Sequence, residues 1–314
     1  MAKSKMRKGS LILNDMVEAL TSEKRSTSEL AASKQKHATE KSTRIIMFCD
    51  LRDSTDILLN FEHGIYRHMN HIDDEEFTYD KFLLDVHKTS YEYLYLGHKM
   101  THTEIYGDGL MAIFPEDNTK FILENIYRLT GQMRIYNDST GVGVTQPGID
   151  LGFGITVGDI SMVYYYLDDR YHPIGMGVHE AARIEGMSKF YDARVLISDS
   201  FFKNIAAYIK DDKRFSYRFI DRVRLKNFRT PVSLYELIVD NDPRFDHKIN
   251  SMALYSEAYA KYCKADWSEA KALFLKVHHD FGLGAGLVMA DRCDILSQSP
   301  PKSDWNGIWN LKDK

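Results

Sequence analysis

The chain reads as a mixed α/β protein with a helical extension after its last strand, on three observations. Short β-branched or aromatic runs end at turn residues, helix-length segments with apolar residues three or four apart separate them, and the stretch after about residue 245 is helical throughout. Ile45 to Cys49 is a buried strand by its length and branching. Ser54 or Thr55 is expected to cap the helix that follows, since a hydroxyl there accepts from free N–H groups. From Asp53 to Gly97 the pattern is helical, broken by the polar stretch Asn70 to Asp74. Lys99 to Phe114 folds back on itself around Gly107-Asp108-Gly109, a hairpin signal. Asn118 to Tyr136 is helical again, and Asn137 to Pro147 is a loop rich in Gly, Ser and Asn. Ile149 to Leu167 is expected to hold two strands around Gly158-Asp159. Gly175 to Phe190 is a helix, with Ala181 and Ala182 small enough for close packing. Ala193 to Ile197, Phe215 to Asp221 and Ser233 to Val239 complete the sheet, with a helix at Ser200 to Tyr208. The order β-α-α-β-β-α-β-β-α-β-α-β-β suits a ferredoxin-like core in an α/β (α+β) protein.

Asp240 to Asp246 holds acidic turns and Pro243, and marks a boundary. Helices then run over Asn250 to Lys264, Trp267 to Phe281 and Ala285 to Leu296. Tyr255, Ala258, Tyr259, Tyr262, Trp267, Ala270 and Phe274 are similar in pattern to one tetratricopeptide unit. A single unit cannot bury its own apolar face, so it must dock on the preceding domain, on a second copy or on another protein. The division is therefore a polar leader at 1–42, an α/β domain at 43–240, a helical segment at 247–299, and a docking tail at 300–314 that carries Trp305 and Trp309.

The 314 residues have an ordinary hydrophobic share of 44% and a formal net charge of −4, which gives no reason to expect a nucleic-acid partner. No apolar run approaches the roughly 20 residues of a membrane span, and the basic start Met1 to Lys8 is followed by an apolar stretch interrupted at Asn14-Asp15. Cys49, Cys263 and Cys293 lack metal-ligand spacing and fit reduced thiols, so a cytoplasmic protein is expected.

Asp50 and Asp108 carry the chemistry. Asp50 closes the apolar run Arg44 to Cys49, and Asp108 sits in the Gly-flanked turn of the hairpin. An apolar strand ending in a carboxylate offers a hard oxygen ligand at the sheet edge, and a second carboxylate in a hairpin turn can meet it there. Mg²⁺ is usually held by one or two carboxylates plus substrate phosphates. The competing reading is that one aspartate is a turn former, which Gly107-Asp108-Gly109 taken alone would suit.

These residues also resemble the catalytic domain of the class III nucleotidyl cyclases, over roughly Arg44 to Val239. Four segments carry the resemblance in the family's order. They are Phe48-Cys49-Asp50-Leu51, Gly107-Asp108-Gly109, the pair Gly152 to Asp159 with Ile174-Gly175 through Ala181-Ala182-Arg183-Ile184-Glu185, and Val223-Arg224-Leu225-Lys226. The resemblance implies conversion of a nucleoside triphosphate to a 3′,5′-cyclic nucleotide and pyrophosphate. It implies two divalent ions, Mg²⁺ or Mn²⁺, held by Asp50, Asp108 and the carbonyl of Leu51. Arg183 matches the transition-state arginine, and His179 stands where many members carry asparagine. Lys226 or Arg229 would ground the triphosphate. Sites shared between two chains imply a homodimer.

Base choice falls to Glu104 and His172. Glu104, three residues before Gly107, stands where adenylate cyclases have lysine and guanylate cyclases glutamate. His172, three before Gly175, replaces an aspartate or a cysteine. A carboxylate only accepts, so it suits a base edge carrying N–H groups. The pair fits neither purine pattern. These departures are similar to the pyrimidine cyclases of bacterial antiphage (Pycsar) systems, which implies UTP, or else CTP, as substrate and a cyclic messenger for an effector. Guanylate or adenylate cyclase activity, a nucleotide sensor without turnover, and an adaptor working through the C-terminal helices stand as alternatives.

Overall fold

The computed structural model describes residues 41–63, 78–95, 100–140, 149–165, 168–302 and 304–311. The expectations placed on the leader, on the break at Asn70 to Asp74 and on most of the loop before Pro147 lie outside these residues.

The first strand, β1 (Ser42–Leu51), enters the middle of the sheet and is followed by helices α1 (Ser54–Glu62) and α2 (Tyr79–Tyr95). The hairpin β2 (His102–Tyr106) and β3 (Gly109–Pro115) leads into α3 (Thr119–Thr140) and β4 (Leu151–Tyr165). β1 lies between β3 and β4 and is antiparallel to both, and β2 pairs antiparallel with β3. The spatial order β4-β1-β3-β2 with this connectivity is the β-α-β-β-α-β arrangement of a ferredoxin-like sheet. β5 (Arg170–Ile174), α4 (Met176–Phe190), β6 (Val195–Ser198), α5 (Asp199–Ile209), β7 (Phe215–Arg224) and β8 (Val232–Val239) follow. β6 adds to β4 in parallel, β8 to β6 and β7 to β8 antiparallel.

Both faces of the central strands are covered. Ile45, Met47, Cys49 and Leu51 alternate onto one face, where they pack with Ile57 of α1, Val86 of α2, Ile126 of α3 and Phe201 of α5. Ile46 points the other way and is equally buried. Such two-sided burial explains why the strand reads as a continuous apolar run rather than an alternating one. α4 packs against β1 and β6. Gly154 permits an unusually close approach to β4, because a Cβ there would overlap the Glu185 backbone. Burial of the thiol of Cys49 pushes it up to about 12, so it stays a neutral apolar residue.

The helical segment, α6 (Phe245–Cys263), α7 (Trp267–Phe281) and α8 (Gly284–Gln298), shares a second core with the sheet. Tyr255, Phe274 and Met289 meet Ile220, Val223 and Leu234 there, so the neighbour that the repeat-like helices need is the sheet of their own chain. The Tyr255 hydroxyl donates to the Ile220 carbonyl at 2.7 Å. Lys248 of α6 is fully buried and donates to Glu236 at 2.7 Å and Asp242 at 2.6 Å, while Arg218 takes the other Glu236 oxygen at 2.7 Å. The short β9 (Trp309–Asn310) pairs in parallel with the end of β7, and Trp305 packs edge-on against Tyr262 and Trp267.

The hairpin arm, residues 161–174, forms a unit of its own. Val163 stands opposite His172 and Tyr164 opposite Tyr171. Among the described residues no helix is long and apolar enough to cross a membrane.

Three local expectations are corrected. Neither Ser54 nor Thr55 caps α1: the N-cap is Asp53, left-handed at φ 56°, with no side-chain capping bond. Its carboxylate is drawn away by Lys189 at 2.5 Å, and aspartate tolerates that conformation. Gly158-Asp159 does not separate two strands, because β4 continues through it while β1 pairs along Ser42 to Leu51. The second strand lies later, at β5. The helix α3 overruns its expected end at Tyr136 and continues to Thr140.

Candidate active site

The hairpin brings Asp108 to Asp50. Tyr106 pairs with Gly109, leaving a two-residue turn, and only Gly107 in it has positive φ, at 61°. That is the sign pattern of a II′ turn, which suits the twist of the flanking strands. One step across the sheet, Asp50 stands opposite Gly109. The two carboxyls come within hydrogen-bonding reach. Burial, followed by the Asp108 charge, pushes Asp50 up to about 6, while the Leu51 N–H and Lys189 pull it back. Two like charges forced together by backbone geometry call for a cation. Their oxygens are the hard donors that Mg²⁺ or Mn²⁺ takes. The Leu51 side chain is in the core, so only its backbone is free to serve the site. Among the described residues no three His, Cys, Asp or Glu gather as a complete ligand set, so further ligands have to be carbonyl, water or substrate oxygens.

Beside this pair opens a cleft of about 350 Å³, lined by Asp50, Leu51, Arg52, Asp53, Glu185 and Lys189 among others. Glu185 comes from α4, and burial followed by the Asp50 charge pushes it up to about 7, against the pull of Arg52. Its part in the site was not visible in the sequence, where it reads as a helix-surface acid.

Arg183 takes the opposite direction from the same helix. At 3.6 residues per turn, Arg183 and Glu185 are roughly 200° apart around α4. Arg183 donates to the Lys226 carbonyl and lies over the Phe228 ring at 5.3 Å. The connection after β7 thus meets Arg183 at one corner, with left-handed Asn227 (φ 67°) shaping the turn. His179 is one helical turn before Arg183 and exposed. Lys226 and Arg229 are both exposed on that connection. Phe228 is a further residue that sequence reasoning missed. The structure therefore joins Asp50 to Asp108, and Arg183 to the Lys226 segment, and it keeps these two groups on different sides of α4.

Glu104 lies on β2 with its carboxylate 16% exposed and turned toward its own strand. His102 Nε2 is 2.9 Å from Oε1, and the Tyr106 hydroxyl donates to Oε2. The spacing of two among His102, Glu104 and Tyr106 puts all three on one face, a signal present in the sequence. His172 belongs to the hairpin arm, where its Nε2 is 2.6 Å from Asp168 and its ring meets Tyr165 edge-on at 5.1 Å.

No family model matches the chain. The chain is 31% identical to an adenylate cyclase of Anabaena cylindrica over 137 residues, which cover 42% of this chain and 26% of that protein. It is 27% identical over 174 residues to the terminal-differentiation-specific adenylate cyclase of Dictyostelium discoideum, covering 54% of this chain and 8% of that one. The chain thus spans about a quarter or less of the length of these curated relatives. Among solved structures, the adenylyl cyclase CyaB from P. aeruginosa matches with a TM-score of 0.47 at 20% identity, over 64% of this chain and 96% of that one.

Proposed function

We propose that the chain is a nucleotidyl cyclase working as a homodimer, and that its substrate is a pyrimidine nucleoside triphosphate, UTP before CTP. The observation that carries the activity is the enforced meeting of Asp50 and Asp108 at the end of β1. The similarity to adenylate cyclases over about half the chain supports the same reaction class. The ribose 3′-oxygen bonds to its own α-phosphorus, the bond from that phosphorus to the bridging oxygen breaks, pyrophosphate leaves, and the hydroxyl proton passes to solvent. Divalent ions held by Asp50, Asp108 and the Leu51 carbonyl would supply Lewis acidity at the 3′-oxygen and the phosphates.

The protein's own work is positioning and charge neutralisation, which dominate phosphoryl transfer. Arg183 presents a planar set of donors suited to the charge that grows on phosphate oxygens. His179, one turn away, offers a further donor to phosphate or ribose, and Lys226 or Arg229 a charge for the triphosphate. Asp50 and Arg183 face different sides of α4, which supports sites completed by a second copy of the chain. Glu104, restrained by His102 and Tyr106, supplies an acceptor to a base edge with N–H groups. The resemblance to antiphage pyrimidine cyclases gives the cyclic product a messenger's role toward a separate effector.

The test is incubation of purified protein with Mn²⁺ and each of the four ribonucleoside triphosphates, with products identified by mass. Cyclic UMP or cyclic CMP is the expected product. Cyclic AMP, the reaction in the names of the similar proteins, would keep the cyclase reading and overturn the base. A protein that binds nucleotide and yields no cyclic product would leave a sensor fold in its place.

A further inference from the structure

α4 is fastened to β7 at two places, and a residue of the C-terminal helices holds one of them. At the outer end Arg183 bonds the Lys226 carbonyl just beyond β7. At the inner end Tyr191, the residue that caps α4, donates its hydroxyl to Asp221 of β7 at 2.5 Å. Arg292 of α8 closes this second contact. One guanidinium nitrogen donates to the same Asp221 oxygen, and the other donates to the Tyr191 hydroxyl at 2.6 Å. All three side chains are buried, at 0% exposure for Tyr191 and Asp221 and 3% for Arg292. Asp221 lies where the β7–β8 register shifts, and its second oxygen accepts from the Arg222 N–H at 2.7 Å. The triad therefore sits at the bulge from which β7 continues through Val223 and Arg224 to the Lys226 turn.

The body of α4 is seated on β1 and β6, and these two fastenings tie it to β7 as well. The Tyr191 contact thereby adds to what fixes α4, and so the Arg183 guanidinium, against the end of β7. Nothing else among the described residues joins α8 to both elements through charged groups. The planar fork of arginine suits this position, since it reaches an acid and a hydroxyl at once.

We infer that Arg292, acting through Asp221 and Tyr191, is a positioning residue for Arg183, so that the C-terminal helices form part of the catalytic apparatus rather than a separable adaptor. This rests on the cyclase reading of Arg183. Arg292 touches no substrate; its effect is exerted by holding the catalytic helix against β7.

The experiment compares Tyr191→Phe, Arg292→Met and Arg292→Lys in the full chain, each alone and in an Arg183→Ala background. Tyr191→Phe keeps the packed volume and removes one hydroxyl, so it stays informative where Arg292→Met fails to fold. Tyr191→Phe and Arg292→Met are expected to lower kcat roughly 10- to 100-fold, the scale of a small misplacement of a catalytic group, with KM changed less than about 3-fold. Arg292→Lys is expected to recover part of the loss. In the Arg183→Ala background, itself about 10²- to 10³-fold slower, the same substitutions add nothing, because residues acting through one group are not additive. Equal losses in both backgrounds, or an unchanged kcat in Tyr191→Phe and Arg292→Met, overturn the inference. If the wild-type chain cyclises no triphosphate, the functional reading falls separately. Hydrogen exchange then decides the coupling: faster exchange at residues 225–231 in Tyr191→Phe, with the β2–β3 hairpin unchanged, supports it, and unchanged exchange overturns it.

Discussion

Gly109 stands opposite Asp50 across the β1–β3 ladder, and a Cβ on it would lie 2.9 Å from the Asp50 Oδ1 and 3.3 Å from the Cys49 carbonyl. The glycine is needed for space, since its φ is not positive and alanine would suit its backbone. A methyl group there drives the carboxylate out of position. Gly109→Ala is expected to keep the fold, measured by circular dichroism, while the proposed cyclase turnover falls about 10²-fold, the scale of a 1 Å misplacement. Unchanged turnover would show that Asp50 has room to reach the reacting centre from elsewhere.

Burial first, and repulsion from Asp108 second, push Asp50 up to about 6. Asp50→Asn removes that repulsion. The variant is expected to melt about 1–3 °C higher than wild type in EDTA, a modest gain because Asp50 is partly solvated. Added Mn²⁺ should raise the melting temperature of wild type by mass action and leave the variant unmoved. A variant that responds to Mn²⁺ as wild type does would remove Asp50 from the metal site.

Because Arg183 and Asp50 face opposite sides of α4, inactive chains carrying Asp50→Ala or Arg183→Ala should complement each other. In the proposed homodimer, half of the dimers formed on random mixing are mixed, and each has one intact site of two. About a quarter of wild-type activity is therefore expected after subunit exchange. A mixture as inactive as its parents would place both residues in a single-chain site.

Lys248 is buried between Glu236 and Asp242. Lys248→Met removes the cation that two buried carboxylates share, leaving Glu236 with Arg218 and Asp242 with the more distant Arg194, and is expected to cost about 3–5 kcal/mol in urea unfolding near pH 7. Burial raises the Asp242 carboxyl, but Lys248 and then Arg194 overcome it and hold Asp242 down at about 2. Glu236 is lowered by Lys248 and Arg218 against its own burial. A depressed folded-state value means stability present above the unfolded value near 4 and lost as pH falls from there toward 2. The Asp242 share is about 2 kcal/mol. The gap between wild type and Lys248→Met should close over that window. A gap constant from pH 7 to pH 2.5 would show that Lys248 acts through packing alone.

The strand ending in Asp50 and the hairpin holding Asp108 were legible because each is a local pattern. Apolar length and β-branching mark the strand, and Gly107 marks the left-handed turn. The helix from Gly175 was legible for the same reason. What escaped was decided between segments. Ser54 and Thr55 have the chemistry of caps, but Lys189, far along the chain, draws the Asp53 side chain away and the helix starts one residue earlier in another geometry. Glu185 reads as a surface acid and lines the cleft instead, because α4 comes down onto Gly154. Phe228 and Lys248 carry no sequence mark of their partners.

The sequence by itself determined the alternation of strands and helices, the two strand-end carboxylates and the arginine helix, since each follows from the chemistry of a few neighbouring residues. The tertiary structure alone decided that Arg183 and Asp50 diverge around one helix, and that Arg292 reaches across 71 residues to Asp221. Periodicity fixes which face of a segment is apolar, but only packing fixes which other segment covers it. Each buried charge acquires its role from a partner that local pattern cannot name.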